Sequence, residues 1–208
     1  MTSLPKRFAQ EVVRISWTSL ARVFIGPEVS NAPDWKKLGG AILAPNHNSF
    51  LDPVVVQTAI PHPVRFMMTE GIYRKPAMRW FFDLWDTIPV PDGDAVKVSA
   101  MKEALRVVRG GKPLVIFPEG GISHDGRLQP GQPGVVALMM RARVPVIPVA
   151  ILGTYEVLPY RANFIRAGRV KLRFGEPIPP PAEGLERQGV RAYAAQIMDA
   201  IHAMGAPR

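Results

Sequence analysis

Two short loops hold the residues of this 208-residue chain whose types and spacing could do chemistry. The first is Pro45-Asn46-His47-Asn48-Ser49-Phe50-Leu51-Asp52-Pro53. An imidazole can take a proton from a hydroxyl near neutral pH, and a nearby carboxylate fixes its tautomer and stabilises the imidazolium. On a straight helix the step from His47 to Asp52 turns through about 500°, which aligns the two side chains poorly. A turn leading into a helix would bring them together. The plain alternative is that Asp52 caps that helix, with Pro53 at its first position, while His47 fills the loop.

The second loop is Phe117-Pro118-Glu119-Gly120-Gly121-Ile122-Ser123. Adjacent glycines let the backbone turn sharply and present N–H groups to an anion or a developing oxyanion. Glu119 could position a substrate hydroxyl or a basic side chain; otherwise the glycines are a simple turn and Glu119 a surface acid. The run Ser123-His124-Asp125 has the composition of a hydrolase triad, but three consecutive loop residues do not converge in space as a triad must. Asp125 also stands where a G-x-S-x-G elbow starting at Gly121 needs glycine. His62, in a Pro-His-Pro loop, and His202, in the last predicted helix, read as structural or surface residues. No metal site is expected, since neither a His-Glu-x-x-His run nor a clustered His pair occurs.

The elements that must hold these loops alternate between short β-rich runs and helical patterns. Strands are predicted over Ala41–Ala44, Val64–Met68, Leu114–Phe117, Val144–Leu152 and Val170–Phe174. Helices are predicted over Val54–Ile60, Pro76–Leu84, Ala95–Val108, Gly134–Arg141 and Leu185–Met204. Pro148 inside one strand suggests an edge position or a strand start. The alternation implies a single α/β domain, a mixed and mostly parallel sheet flanked by helices. Both chemical loops follow predicted strands, so both should open on the carboxyl edge of the sheet, where open α/β folds bind ligands.

Composition narrows the partners. Apolar residues make up 47% and charged residues 21%, which excludes a disordered or collagen-like chain. No apolar run reaches the ~18 residues of a membrane-spanning helix. The opening MTSLPKRFAQ places charges where a signal peptide needs apolar residues, so no secretion signal is expected. With no Cys, disulfides and cysteine-ligated zinc are excluded. The net charge of +9 favours polyanionic partners. No nucleic-acid motif accompanies it, so lipid headgroups or phosphates lead and nucleic acid is not expected. Lys6 to Phe24 reads as an amphipathic helix, with Phe8, Val12, Ile15, Leu20 and Val23 near helical spacing. Lys6, Arg7, Arg14, Arg22 and the interfacial Trp17 suit the headgroup region of an anionic bilayer; the alternative is a helix packed on the domain. Residues 1–25 are accordingly read as a membrane-associating helix and 26–208 as the catalytic domain.

The Asn-His-x-x-x-x-Asp-Pro loop, the Phe-Pro-Glu-Gly loop about seventy residues later, and the Val144–Ile151 strand occur in that order. From Gly39 to Leu158 the chain thereby resembles the glycerolipid acyltransferase family, best known for the 1-acylglycerol-3-phosphate acyltransferases. The resemblance implies acyl transfer from acyl-CoA or acyl carrier protein to a lysophospholipid hydroxyl at the cytoplasmic membrane surface, with 1-acylglycerol-3-phosphate, giving phosphatidic acid, as the leading acceptor and with no cofactor. It implies His47 as general base and Asp52 as its orienting acid. Asn46, Phe117, Pro118, Glu119, Gly120, Gly121 and Ser123 would bind substrate. The chain departs from the family pattern where basic residues usually meet the acceptor phosphate: Met68 or Thr69, Asp92 and Ile122 stand there. Arg65, Arg74, Lys75 or Lys97 could substitute. Alternative readings are another lysolipid acceptor, a non-catalytic lipid-binding module, or a lipid hydrolase.

Overall fold

The computed structural model describes residues 4–74, 76–90, 94–162, 164–182 and 184–208. Along the chain run α1 (Leu4–Phe24), β1 (Glu28–Ser30), β2 (Ile42–Pro45), α2 (Asp52–Thr58), β3 (Arg65–Thr69), α3 (Glu70–Tyr73), α4 (Pro76–Leu84) and β4 (Ile88–Val90). There follow α5 (Asp94–Arg109), β5 (Leu114–Ile116), α6 (Pro133–Ala142), β6 (Val146–Leu152), α7 (Thr154–Val157), β7 (Lys171–Phe174) and α8 (Arg187–Ala203). The strands form one sheet in the order β1-β7-β6-β2-β5-β3-β4, and every pairing is parallel except β6 with β7. The expected mixed, mostly parallel α/β architecture is therefore the one observed.

Alternation along the strands divides the core in two. Ile42, Ala44, Leu114, Val146 and Ala150 face α5, α6 and α8, while Ala41, Leu43, Val115, Ile147, Val149 and Ile151 face α1 and α2. Burial on both faces explains why these strands read as continuous apolar runs rather than as alternating ones. β2 and β5 lie side by side in parallel, with Ile42 opposite Leu114 and Leu43 opposite Val115. Their following loops, the two singled out above, are thus brought to the same sheet edge.

Pro148 is not on an edge. It lies within β6, between β7 and β2. It is tolerated because it falls opposite the end of β7: the Gly175 N–H donates to the Pro148 carbonyl, and pairing resumes one residue out of step between Val146 and Ile178. The missing N–H of proline therefore coincides with a break in the ladder. β1, β4, α3 and α7 were not expected; at three or four residues each they are too short to leave a periodic signature.

α1 is built inside out. Gln10, Thr18 and Ala21 are its buried residues, and Phe8, Val12, Ile15 and Val23 point away from the protein. Polar contacts hold the inner face: Gln10 Nε2 donates to the Leu84 carbonyl at 2.6 Å, and Lys6 Nζ meets Asp86 Oδ1 at 2.6 Å. The basic residues read as bilayer-facing are partly engaged by the protein, while Arg22 stays exposed. Lys6 is paired with Asp86, Arg14 with Glu11, and Arg22 reaches the Thr58 carbonyl. Trp17 leans onto Phe81, with ring centroids 5.8 Å apart. Arg7 is exposed.

Candidate active site

His47 leaves the end of β2, and the chain turns at once so that Asp52 opens α2. The turn is fixed by Ser49: its Oγ accepts the Leu51 N–H and donates to the Leu158 carbonyl. Asp52 is not the helix cap. Leu51 holds that position, and the Asp52 carboxylate turns back toward the loop instead. Its Oδ2 accepts the N–H groups of Asn48 and Ser49 at 2.7 and 2.8 Å and lies 2.9 Å from His47 Nδ1. A carboxylate can only accept, so Nδ1 donates, and in the neutral imidazole Nε2 keeps its lone pair. The helix start thus bends the five-residue spacing into contact.

The Phe117 loop cradles this imidazole. The Phe117 ring stacks on the His47 ring at 3.9 Å and 19°. Glu119 Oε1 accepts the His47 N–H at 2.7 Å, and the Ser123 N–H donates to the His47 carbonyl at 2.7 Å. Gly120 sits at φ 78°, a left-handed conformation that favours glycine, and its N–H closes a turn on the Phe117 carbonyl. That N–H is therefore occupied and is no oxyanion donor.

Three residues expected to touch substrate face the protein instead. Asn46 is fully buried and pairs its side-chain amide with both backbone groups of Ile151, tying β2's end to β6. Glu119 is buried, not a surface acid, and its other oxygen accepts the Gln129 N–H at 2.8 Å. Burial outweighs these two bonds and pushes its carboxyl up to about 7. Ser123 is buried, and its hydroxyl donates to Asp125, while the His124 ring stacks on Tyr160. No triad forms. His62 and His202 each place Nδ1 near a backbone carbonyl, at 3.4 and 2.7 Å.

His47 opens on a cavity of about 540 Å³, together with Phe117, Pro118, Gly120, Gly121 and Ile122. Its walls come from both cores and are almost wholly apolar, Phe66, Phe81, Trp85, Met101 and Leu138 among them. Met68 and Thr69 line it at the end of β3. Of the substitute cations, Arg65 bonds Glu103 and the Asp86 carbonyl, and Arg74 bonds Glu70. Arg65 is thus a structural tie. Lys75 and Asp92 lie outside the described residues, as does the side chain of Lys97. Gln57 is a polar residue of the site that sequence reasoning missed: it accepts from Trp85 Nε1 and the Val64 N–H and donates to the Ile60 and His62 carbonyls. Its isolation in the apolar run Pro53–Thr58 was the available signal.

The fold and site define an α/β domain carrying an imidazole–carboxylate pair over an apolar cavity. Over almost its whole length this domain superposes on a known one: the crystal structure of the 1-acyl-sn-glycerophosphate (LPA) acyltransferase PlsC from Thermotoga maritima. The TM-score is 0.75 at 21% identity, over 98% of this chain and 82% of that one. The Acyltransferase family model matches residues 26–152, so the chain belongs to that family. Among curated relatives, the chloroplastic 1-acyl-sn-glycerol-3-phosphate acyltransferase BAT2 of Brassica napus is 29% identical over 135 residues, 64% of this chain and 39% of the relative. The Limnanthes douglasii 1-acyl-sn-glycerol-3-phosphate acyltransferase is 31% identical over 134 residues, covering 64% and 47%. The chain spans less than half the length of these two relatives.

Proposed function

We propose that this chain moves a fatty acyl group from a thioester, acyl-CoA or acyl carrier protein, to the hydroxyl of a lysophospholipid. The leading acceptor is 1-acylglycerol-3-phosphate, which would give phosphatidic acid, and the enzyme would need no cofactor. The observation that carries this reading is the 2.9 Å contact of His47 Nδ1 with Asp52, in a residue that also lines the apolar cavity. Nε2 takes the proton of the acceptor hydroxyl as its oxygen attacks the thioester carbonyl. A C–O bond forms and a tetrahedral oxyanion results; its collapse breaks the C–S bond, and the leaving thiolate takes the proton from the imidazolium. Asp52 holds the ring and stabilises its cation throughout. General-base assistance of this kind is worth ~10²–10⁴-fold. The Ser123 hydroxyl is committed to Asp125, which favours direct transfer over an acyl-enzyme. The cavity falls within the ~300–1,000 Å³ that holds one drug-sized ligand, and its apolar walls suit an acyl chain.

Membrane association belongs to the same reading. The protein would lie on the cytoplasmic face of the bilayer, and among the described residues no helix is long and apolar enough to cross it. The outward stripe of α1 supports this. Leu4, Phe8 and Val23 would each gain about 1.5–3 kcal/mol on full burial and the half-exposed Val12 and Ile15 about half as much, against ~1 kcal/mol for each basic residue at an anionic surface. Apolar burial leads. α1 also contributes Trp17 and Thr18 to the cavity wall, so a lipid chain leaving the bilayer would enter beside the helix.

Incubation of purified protein with labelled acyl-CoA and a panel of lysolipids tests the reaction. A new diacyl lipid is expected. Release of free fatty acid would make the protein a hydrolase, and neither product would make it a lipid-binding module.

A further inference from the structure

The segment from Pro159 to Arg169 joins α7 to β7 and contains Arg161, Arg166 and Arg169 with no acidic residue. Its base is tied down. The Ala162 N–H donates to the Pro159 carbonyl and the Arg166 N–H to the Val157 carbonyl, at 2.9 and 2.8 Å. Gly168 packs so closely that a Cβ there would come within 2.6 Å of Val157 Cγ2. Between these ties Phe164 and Ile165 stand outward, 82% and 59% exposed. Holding two neighbouring large apolar side chains in water is unfavourable unless something covers them. The three arginines, all exposed, specify that the covering surface is anionic.

We propose that this loop is a second membrane contact, in which Phe164 and Ile165 enter the headgroup region and Arg161, Arg166 and Arg169 meet anionic lipids. The inference rests on the membrane reading given above and extends it to a region that no amphipathic helix marks. The loop borders the cavity that α1 also borders. Tyr160, near its start, stacks on Phe50 with centroids 5.9 Å apart, and Phe50 lines the cavity. Leu158, immediately before the loop, lines it as well and accepts the Ser49 hydroxyl. A single helix lying in a surface leaves the domain free to roll about the helix axis. A second contact beside the same cavity removes that freedom and holds the mouth against the bilayer.

The test is co-sedimentation of the full chain with vesicles of phosphatidylcholine mixed with phosphatidylglycerol, and with vesicles of phosphatidylcholine alone. Phe164→Ser with Ile165→Ser is expected to lower partitioning on the order of ten-fold on both vesicles, because less apolar surface is buried. Arg161→Gln, Arg166→Gln and Arg169→Gln are expected to lower it about five-fold per residue on the mixed vesicles alone. Circular dichroism and a thermal melt check that the variants fold. If the native chain binds vesicles and both variants bind equally well, this loop is no membrane contact, while the reading of α1 stands. If the native chain binds neither vesicle, the membrane reading fails and this inference with it. If the serine variant keeps full vesicle binding but loses a dimer in gel filtration, the tip belongs to a second copy of the chain, and the proposal is overturned.

Discussion

The loop around His47 and the helix α1 solve opposite problems with the same interactions. At His47, hydrogen bonds run inward: Asp52 Oδ2 gathers three donors, Glu119 and Ser123 grip the backbone on either side, and Phe117 covers the ring. Little is left to move. Along α1, Gln10 and Lys6 also turn to the domain, to Leu84 and Asp86, but that leaves the apolar stripe facing out. A soluble protein normally puts such a stripe in its core. The first region uses polarity to fix one geometry, and the second uses it to release an apolar face for another partner.

The sharpest way to break this comparison is to remove the group that the first region holds. His47→Ala is expected to lower acyl transfer by ~10²–10⁴-fold. The melting temperature should stay close to that of the native protein, because Asn46, Ser49 and Glu119 still tie the loop to the sheet. Activity within a few-fold of native would remove His47 from the chemistry.

In α1 the expected dissociation runs the other way, toward lost binding with intact chemistry. Phe8→Ser, Val12→Ser and Ile15→Ser together should weaken vesicle binding on the order of 100-fold, since burial of each side chain is worth at least ~1 kcal/mol. Stability should scarcely change, because these side chains are already exposed. Turnover of a soluble short-chain acceptor should persist. Lys6→Gln with Arg14→Gln is the matching control: both cations are paired within the protein, so these changes should alter vesicle binding far less than the apolar ones do. A larger loss from the charge variant would restore the electrostatic account of anchoring.

The two regions also differ in how far the sequence revealed them. The pairing of the His47 and Phe117 loops was readable because each follows an apolar run, and such runs become neighbouring strands whose carboxyl ends share an edge. Helix α4 was legible to its ends. What escaped was which polar atoms face which. Asn46 and Glu119 look like substrate ligands in a motif, yet their partners, Ile151 and Gln129, are supplied by other segments. The stripe of α1 was visible, but its direction was not. That depends on the Leu84 carbonyl and on Asp86, more than seventy residues away in the chain. Pro148 misled for a similar reason, since the break in β6's ladder is set by where β7 ends.

The smallest effect is expected at Glu119, where the first region couples to pH. Burial raises its carboxyl from an ordinary 4.5 to about 7. A raised folded value means that the folded state binds the proton more tightly than the unfolded chain does. The associated stability is therefore complete below the unfolded value of about 4.5 and is lost as pH rises toward 7. The native protein should then melt higher at pH 5 than at pH 7.5, by at most about 3 kcal/mol of stability. Glu103 does not confuse this window. Hydrogen bonds from Arg106 and Arg65 hold it down at about 2, so its contribution is already complete above 4.5. Glu119→Gln should flatten the difference between the two pH values. It should also cost about 1–3 kcal/mol, because an amide N–H₂ would replace one of the acceptors facing the His47 and Gln129 N–H groups. Thermal melts of both proteins at the two pH values measure all of this. A native melt that does not fall between pH 5 and 7.5 would mean that the two backbone N–H groups hold Glu119 ionised against its burial. The grip on His47 would then be independent of pH, as the apolar face of α1 is.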